Sequence, residues 1–281
     1  MEIVMSGKIL VVGATGTVGR HLVAALVAKG ETVKAASRTP VAIAGAESVA
    51  FDFADPAPAL DGVDRLYLLS PTGHLDPVGL LTPVITEAAR RKIKIVLQTA
   101  IGVDADDNIP LRQVELAVER SGVPFVILRP NWFADNFETY WKGDILNGAI
   151  RVPAGDGASS FVDARDIADS AAGALTTDRF DGQAFALTGP EAVSYGQAAE
   201  LLSGYYGRTI SYQPIDDETF VAAMIKAGLS EGYAGFLAII FHPVREGWTA
   251  GVTDAVETLS GHAPRSLEQW ARDNLKASVA G

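Results

Sequence analysis

The chain has 281 residues, 48% of them hydrophobic, and a formal net charge of −11. This is material for one large or two small lobes around an ordinary core, and no apolar run reaches the roughly 20 residues that would span a bilayer. The complete lack of cysteine excludes disulfides, thiolate zinc sites, iron–sulfur clusters and a cysteine nucleophile. The four histidines, His21, His74, His242 and His262, show no metal-ligand spacing, so no metal is expected. The negative charge, without a Lys/Arg cluster, argues against nucleic acid. Met1 to Ser6 read as a short lead without a secretory signal, and a cytoplasmic protein with no membrane partner is expected.

In chain order, apolar strands are expected at Lys8 to Val12, Thr32 to Ser37, Ser48 to Asp52, Arg65 to Leu69, Ile93 to Thr99 and Phe125 to Leu128. The clearest helical patterns between them cover Thr17 to Lys29, Pro77 to Arg91 and Pro110 to Ser121. The segment Ala54 to Asp64 leaves room for a short helix at most, limited by Pro56 and Pro58. Alternation of this kind predicts an α/β fold, a doubly wound Rossmann-type parallel sheet, with a smaller, mainly helical C-terminal lobe. The expected division is 1–150 for the dinucleotide-binding lobe and 151–281 for a substrate lobe. The two interleave, because a strand near 183–188 reads as returning to the main sheet. Ligands in such sheets lie beyond the carboxyl ends of the strands.

The first strand runs into Gly13-Ala14-Thr15-Gly16-Thr17-Val18-Gly19 and then a helix. Gly13 suits a tight turn, Gly16 admits a pyrophosphate, and Gly19 lets helix and strand pack closely. The helix N-terminus that follows offers free N–H groups to the anion. Thr15, Thr17 and Val18 belong to the same expected contact. Three glycines at this spacing are weak evidence alone; their place between a buried strand and a helix gives them weight.

Strand two ends Ala35-Ala36-Ser37-Arg38 without the carboxylate that would bind both ribose hydroxyls of NAD. Arg38 can pair with a 2′-phosphate, with Ser37 donating a further bond, so NADP(H) is the expected cofactor. The alternative is a solvated loop arginine. Asp52 reads equally as an adenine contact or a turn former. Phe53, Leu69, Ser70, Thr99 and Pro130 complete the expected cofactor edge.

Thr99, at the end of strand five, is a candidate for holding a substrate oxygen, with a plain strand residue as the alternative. His74 lies in a loop on the cofactor side, where an exposed histidine without a role is the simpler reading. Asn131, Trp132, Phe133 and Asn136 are the candidate pocket for a flat, apolar substrate, and Asn131 is a second catalytic candidate. Interlobe core is the alternative for Trp132 and Phe133. Asp163, Arg165 and Asp166 read as a helix start.

With these blocks in view, the glycine turn, Ser37-Arg38, Phe51-Asp52-Phe53, Leu128 to Phe137, Phe161 to Ala168 and Leu187 to Glu191 resemble the NmrA-like atypical short-chain dehydrogenase/reductases. The subgroup most similar is that of the ergot-alkaloid (festuclavine dehydrogenase-like) reductases, with type 2 quinone reductases more distant. The resemblance spans nearly the whole chain and implies a Rossmann lobe binding NADP(H), with a C-terminal lobe closing over the nicotinamide. The family contains both reductases and cofactor-sensing regulators.

Short-chain dehydrogenases place Tyr and Lys four apart on one helix so that the phenol can pass a proton. None of the seven tyrosines here is followed by Lys at that spacing, and the helix that would carry the pair reads Pro110-Leu111-Arg112-Gln113-Val114-Glu115. Two functions are therefore expected. One is an NADPH-dependent reductase of a small conjugated acceptor (quinone, iminium or enone), with the proton from water. The other is a non-catalytic NADP(H) sensor. A nucleotide-sugar epimerase ranks below both, since it needs the Tyr/Lys pair.

Overall fold

The protein is described here from a computed structural model covering residues 7–275. The expected lead Met1 to Ser6 and the end of the C-terminal helical stretch lie outside the described residues. The chain forms two compact units, 1–130 with 164–187 and 255–262, and 131–163 with 188–254 and 263–281. The boundary expected at 150 falls inside the second unit, because residues 131–150 build that unit's core.

Seven strands form the sheet of the first unit: β1 (Lys8–Val12), β2 (Val33–Ser37), β3 (Ala46–Ala50), β4 (Val63–Leu69), β5 (Lys94–Gln98), β6 (Phe125–Pro130) and β7 (Gln183–Leu187). Their spatial order is β3-β2-β1-β4-β5-β6-β7, and every pair is parallel. The chain reverses direction of growth at β1, which creates a switch point where β1 and β4 adjoin. The expected return of the 183–188 strand is β7 on β6. The third strand lies two residues before its expected place, and Phe51 and Asp52 follow it rather than belong to it.

Helices α1 (Gly19–Ala28), α2 (Pro77–Arg90), α3 (Pro110–Glu119), α4 (Ala164–Leu175) and α5 (Ala255–Ser260) cover this sheet, with α1 against α4 and α2 against α3. Leu66, Leu68, Ile95 and Leu97 of the strands pack with Leu81, Val84, Ile85 and Val114 of α2 and α3. The alternate positions point the other way, as the period of two requires. Three buried cations sit near the N-terminal ends of the strands and are neutralised or capped locally. Lys34 donates to Ala59 and Asp61 carbonyls, Arg65 pairs with Glu31 at 3.0 Å, and Lys94 pairs with Asp181. Burial lowers the Lys34 pKa. The ligand edge lies at the opposite ends of these strands.

The second unit is mainly helical, with helices Tyr195–Tyr206, Asp217–Lys226, Glu231–Ile239 and Leu267–Asn274. Two short strand pairs join Ala149–Ile150 to Ser211–Tyr212 and Ala158–Ser159 to Val193–Ser194. Phe137, Trp141, Phe161, Tyr195, Phe241 and Trp270 form its aromatic core. Leu267 and Trp270 lie on the buried face of the last helix, and Leu275 is just beyond its end.

Candidate active site

The turn between β1 and α1 is built as a cradle. Gly13 has φ 72°, a left-handed conformation suited to glycine, and Gly16 N–H donates to Gly13 O at 2.9 Å. A Cβ placed on Gly19 would lie 2.1 Å from Gly13 O, so only glycine fits where the helix meets the strand end. Helix α1 has no side-chain cap and no acid in its first turn. Among the described residues, nothing accepts from the backbone N–H groups of Thr15, Thr17 or Val18. These groups and the positive end of the α1 dipole are therefore available to an anion.

The neighbouring strand ends fit the same ligand. Leu69 reaches to 3.4 Å from the position of a Gly13 Cβ, and beside it the Ser70 hydroxyl is shut off from solvent with no partner among the described residues. A buried hydroxyl of this kind calls for a ligand or water partner. Arg38 is exposed at the end of β2, and among the described residues its guanidinium has no partner. The residues present thus fit a dinucleotide with an additional phosphate.

Two members of the expected edge are engaged locally. Ser37 Oγ donates to Thr39 O at 2.8 Å, so its proton is not directed to a phosphate. Asp52 Oδ1 accepts from Ala54 N–H at 2.9 Å, a bond that closes the local turn. Phe53 stacks edge-on with buried Phe51 at 5.0 Å, and Pro130 O accepts from Ile101 N–H at 3.0 Å. His74 is exposed.

Thr99 is 8% exposed, and its hydroxyl donates to Glu115 Oε1 at 2.7 Å. Glu115 is fully buried on α3 and accepts from Arg129 Nε (2.9 Å), Arg129 Nη2 (2.7 Å) and Arg112 Nη1 (2.8 Å). Burial pushes its pKa up, and the bonds from Arg129, Thr99 and Arg112 together outweigh that, leaving it below the usual carboxylate value. Arg129 also pairs with Asp104 at 2.5 Å, and Arg112 with Asp107 and Glu119. The helix that lacks a Tyr/Lys pair carries an ion-pair network instead. Thr99, the candidate for holding a substrate oxygen, directs its single hydroxyl proton to Glu115. The sequence reading missed Glu115; its only local signal was a glutamate three residues after Arg112 on a helix.

Asn131, the second catalytic candidate, has its side-chain amide engaged within the second unit. It is 3% exposed in the second unit, and its amide donates to Ser160 Oγ (2.7 Å) and Thr249 O (2.8 Å) while its oxygen accepts from Trp132 N–H (2.8 Å). It ties three segments of that unit together. Trp132 is half-buried and lies 4.6 Å from Phe241 and 5.8 Å from Trp141. Phe133 forms a bridge with Val162, and the partly exposed Asn136 side chain has no partner among the described residues. Tyr67 and Tyr195 are fully buried, and burial pushes both phenols far above their ordinary pKa, which removes them from acid–base work near neutral pH. One grouping brings Asp166, Asp169 and His262 together, with His262 Nε2 3.1 Å from Asp169 Oδ2.

Residues 13–178 match the NAD(P)H-binding family model. The chain belongs to this NAD(P)H-binding family. Like the relatives named as oxidoreductases and reductases, it is an NAD(P)H-dependent oxidoreductase. It is 34% identical to the uncharacterized oxidoreductase YesF of Bacillus subtilis, over 94% of this chain and 93% of that one. It is 32% identical to prestalk A differentiation protein A of Dictyostelium discoideum (95% and 92%) and 31% to an NAD(P)H azoreductase of Xenophilus azovorans (96% and 98%). In fold it is similar to the NADPH complex of quinone oxidoreductase QOR2 from Escherichia coli, with TM-score 0.83 at 24% identity, covering 94% and 99% of the two chains. The family match contains the glycine turn, Arg38, Thr99, Glu115 and Arg129. No helix among the described residues is long and apolar enough to cross a membrane.

Proposed function

We propose that this protein is an NADPH-preferring reductase of small, flat, conjugated acceptors of the quinone, azo, iminium or enone type. The observation that carries this reading is Arg38: an exposed, unpartnered guanidinium at the end of β2, on a strand end with no carboxylate, next to a glycine cradle. A guanidinium fork pairs well with a terminal phosphate and has no counterpart on NADH. The azoreductase relative, similar over nearly its whole length, supports the acceptor class.

Bound NADPH supplies the hydride. The chain's own part is binding and orientation. Thr15, Thr17 and Val18 N–H groups would hold the pyrophosphate, Arg38 the 2′-phosphate, and Ser70 Oγ a polar group of the nucleotide. We assign acceptor recognition to Trp132, which offers an aromatic face, and to Asn136, which offers an amide without a partner among the described residues. We assign proton delivery to no side chain, which suits acceptors whose reduced form takes its proton from water. Rate enhancement then rests on proximity and orientation.

The test is NADPH oxidation followed by absorbance with quinone, azo and enone acceptors, alongside calorimetric binding of NADPH and NADH. Turnover of at least one class, with NADPH bound more tightly than NADH, is expected. Tight NADPH binding with every acceptor inert would overturn the catalytic reading in favour of a cofactor sensor.

A further inference from the structure

The bond between Thr99 and Glu115 determines what Thr99 can offer a ligand. A threonine hydroxyl has one proton to donate and two lone pairs to accept with. The proton goes to Glu115 Oε1 at 2.7 Å. Glu115 has none to give back: it is an ionised carboxylate whose oxygens already receive Arg129 Nε, Arg129 Nη2 and Arg112 Nη1 within 2.9 Å. Among the described residues, nothing donates to Thr99 Oγ1. Turning the hydroxyl outward would break a charge-assisted bond, which biases the rotor about tenfold or more toward Glu115.

Thr99 stands just past the end of β5, where its N–H donates to Leu128 O at 2.9 Å. This is the edge of the sheet at which ligands of such folds bind. We infer that Glu115 is a positioning residue that fixes Thr99 Oγ1 as a hydrogen-bond acceptor at this edge, so that the ligand group seated against it is an N–H or O–H donor. A carbonyl or quinone oxygen placed there would meet lone pairs with lone pairs. This inference rests on the nucleotide-binding reading above and names the chemistry the site takes. We place this donor at the reacting rings, which leaves two: the primary amide on the nicotinamide ring, and the hydroxyl of a reduced, quinol-type acceptor.

Calorimetric binding distinguishes them. One arm compares NADP⁺ with its 3-acetylpyridine analogue, which carries a methyl group in place of the amide NH₂. The other compares hydroquinone with benzoquinone on the NADP⁺-loaded protein. In one arm the wild type is expected to bind the donor-bearing probe about tenfold more tightly, the worth of one hydrogen bond at a shielded site. Thr99→Val, which keeps the shape and leaves the Glu115–Arg129 pair intact, is expected to bring that ratio to about one, and Thr99→Ser to keep it. Glu115→Gln, whose amide can donate to Thr99 Oγ1, is expected to shrink it as well. The ratio compares two ligands on one protein, so a purely structural loss of stability does not move it. Ratios near one in both arms for the wild type, or unchanged in Thr99→Val, overturn the inference while leaving nucleotide binding standing. A wild type that binds no nucleotide overturns the functional reading and this inference together.

Discussion

Arg129 and Glu115 meet as a two-pronged ion pair inside the first unit, with Nε on Oε1 at 2.9 Å and Nη2 on Oε2 at 2.7 Å. The pair joins β6 to α3, and Thr99 and Arg112 add two more donors to the same carboxylate. All of the charge on Glu115 is therefore compensated by hydrogen bonds, which is the condition under which a fully buried carboxylate stays ionised.

Removing one partner of this pair is expected to be severe. Arg129→Met leaves Glu115 with Arg112 and Thr99 alone, and a loss of about 3 kcal/mol in unfolding free energy is expected, in the range for a broken buried pair. Urea unfolding monitored by circular dichroism measures it. A midpoint unchanged from wild type would show that the pair contributes nothing.

The same carboxylate gives stability a pH dependence of known sign. Its folded pKa lies below its ordinary value, so the unfolded chain binds more protons here in acid. The contribution is complete above the unfolded carboxylate pKa of about 4.3 and is lost as the pH falls through the folded value. Glu115→Gln is therefore expected to be less stable than wild type at neutral pH, with the gap narrowing in acid. A gap that widened in acid would contradict the sign.

Arg38→Ala is expected to weaken NADPH binding about 10- to 100-fold, the worth of a charge-assisted phosphate contact, and to leave NADH binding nearly unchanged. Isothermal titration with both nucleotides decides it. Equal losses for the two would mean that Arg38 does not read the 2′-phosphate.

Glycine substitutions separate cradle from surface. Gly19→Ala puts a methyl group 2.1 Å from the Gly13 carbonyl oxygen, and the backbone must move. A loss of about 1–3 kcal/mol is expected, together with weakened nucleotide binding. Gly30→Ala, at φ 81° with nothing within 4 Å of its Cβ, carries only the left-handed backbone penalty of about 1–2 kcal/mol. Its nucleotide affinity is expected to match wild type, and thermal unfolding plus calorimetry on both variants checks the contrast.

Asn131→Ala removes the amide that ties Ser160, Thr249 and Trp132; the Trp132 N–H loses its acceptor, while the Thr249 carbonyl keeps the Ser160 N–H at 3.0 Å. About 2–3 kcal/mol of destabilisation is expected, with a change in tryptophan fluorescence from the neighbouring Trp132 and Trp248. A stable variant with an unaltered spectrum would show that the clamp does not organise this segment.

Local order in the chain carried the strand–turn–helix cradle, because Gly13, Gly16 and Gly19 act through backbone geometry within seven residues, and the parallel sheet, because runs such as Ile9 to Val12 and Ile95 to Leu97 are buried on both faces. It also carried the missing Tyr/Lys pair and the missing acid after β2, which are matters of identity at a known position. What Thr99 and Asn131 do with their protons was decided by tertiary structure alone. Their partners Glu115, Ser160 and Thr249 lie 16, 29 and 118 positions away. The same holds for the return of Ala255–Ser260 to the first unit and for the encounter of His262 with Asp169. Periodicity reports which face of an element is apolar. A hydrogen bond between distant side chains is set by where packing puts two elements, and no local pattern encodes that distance.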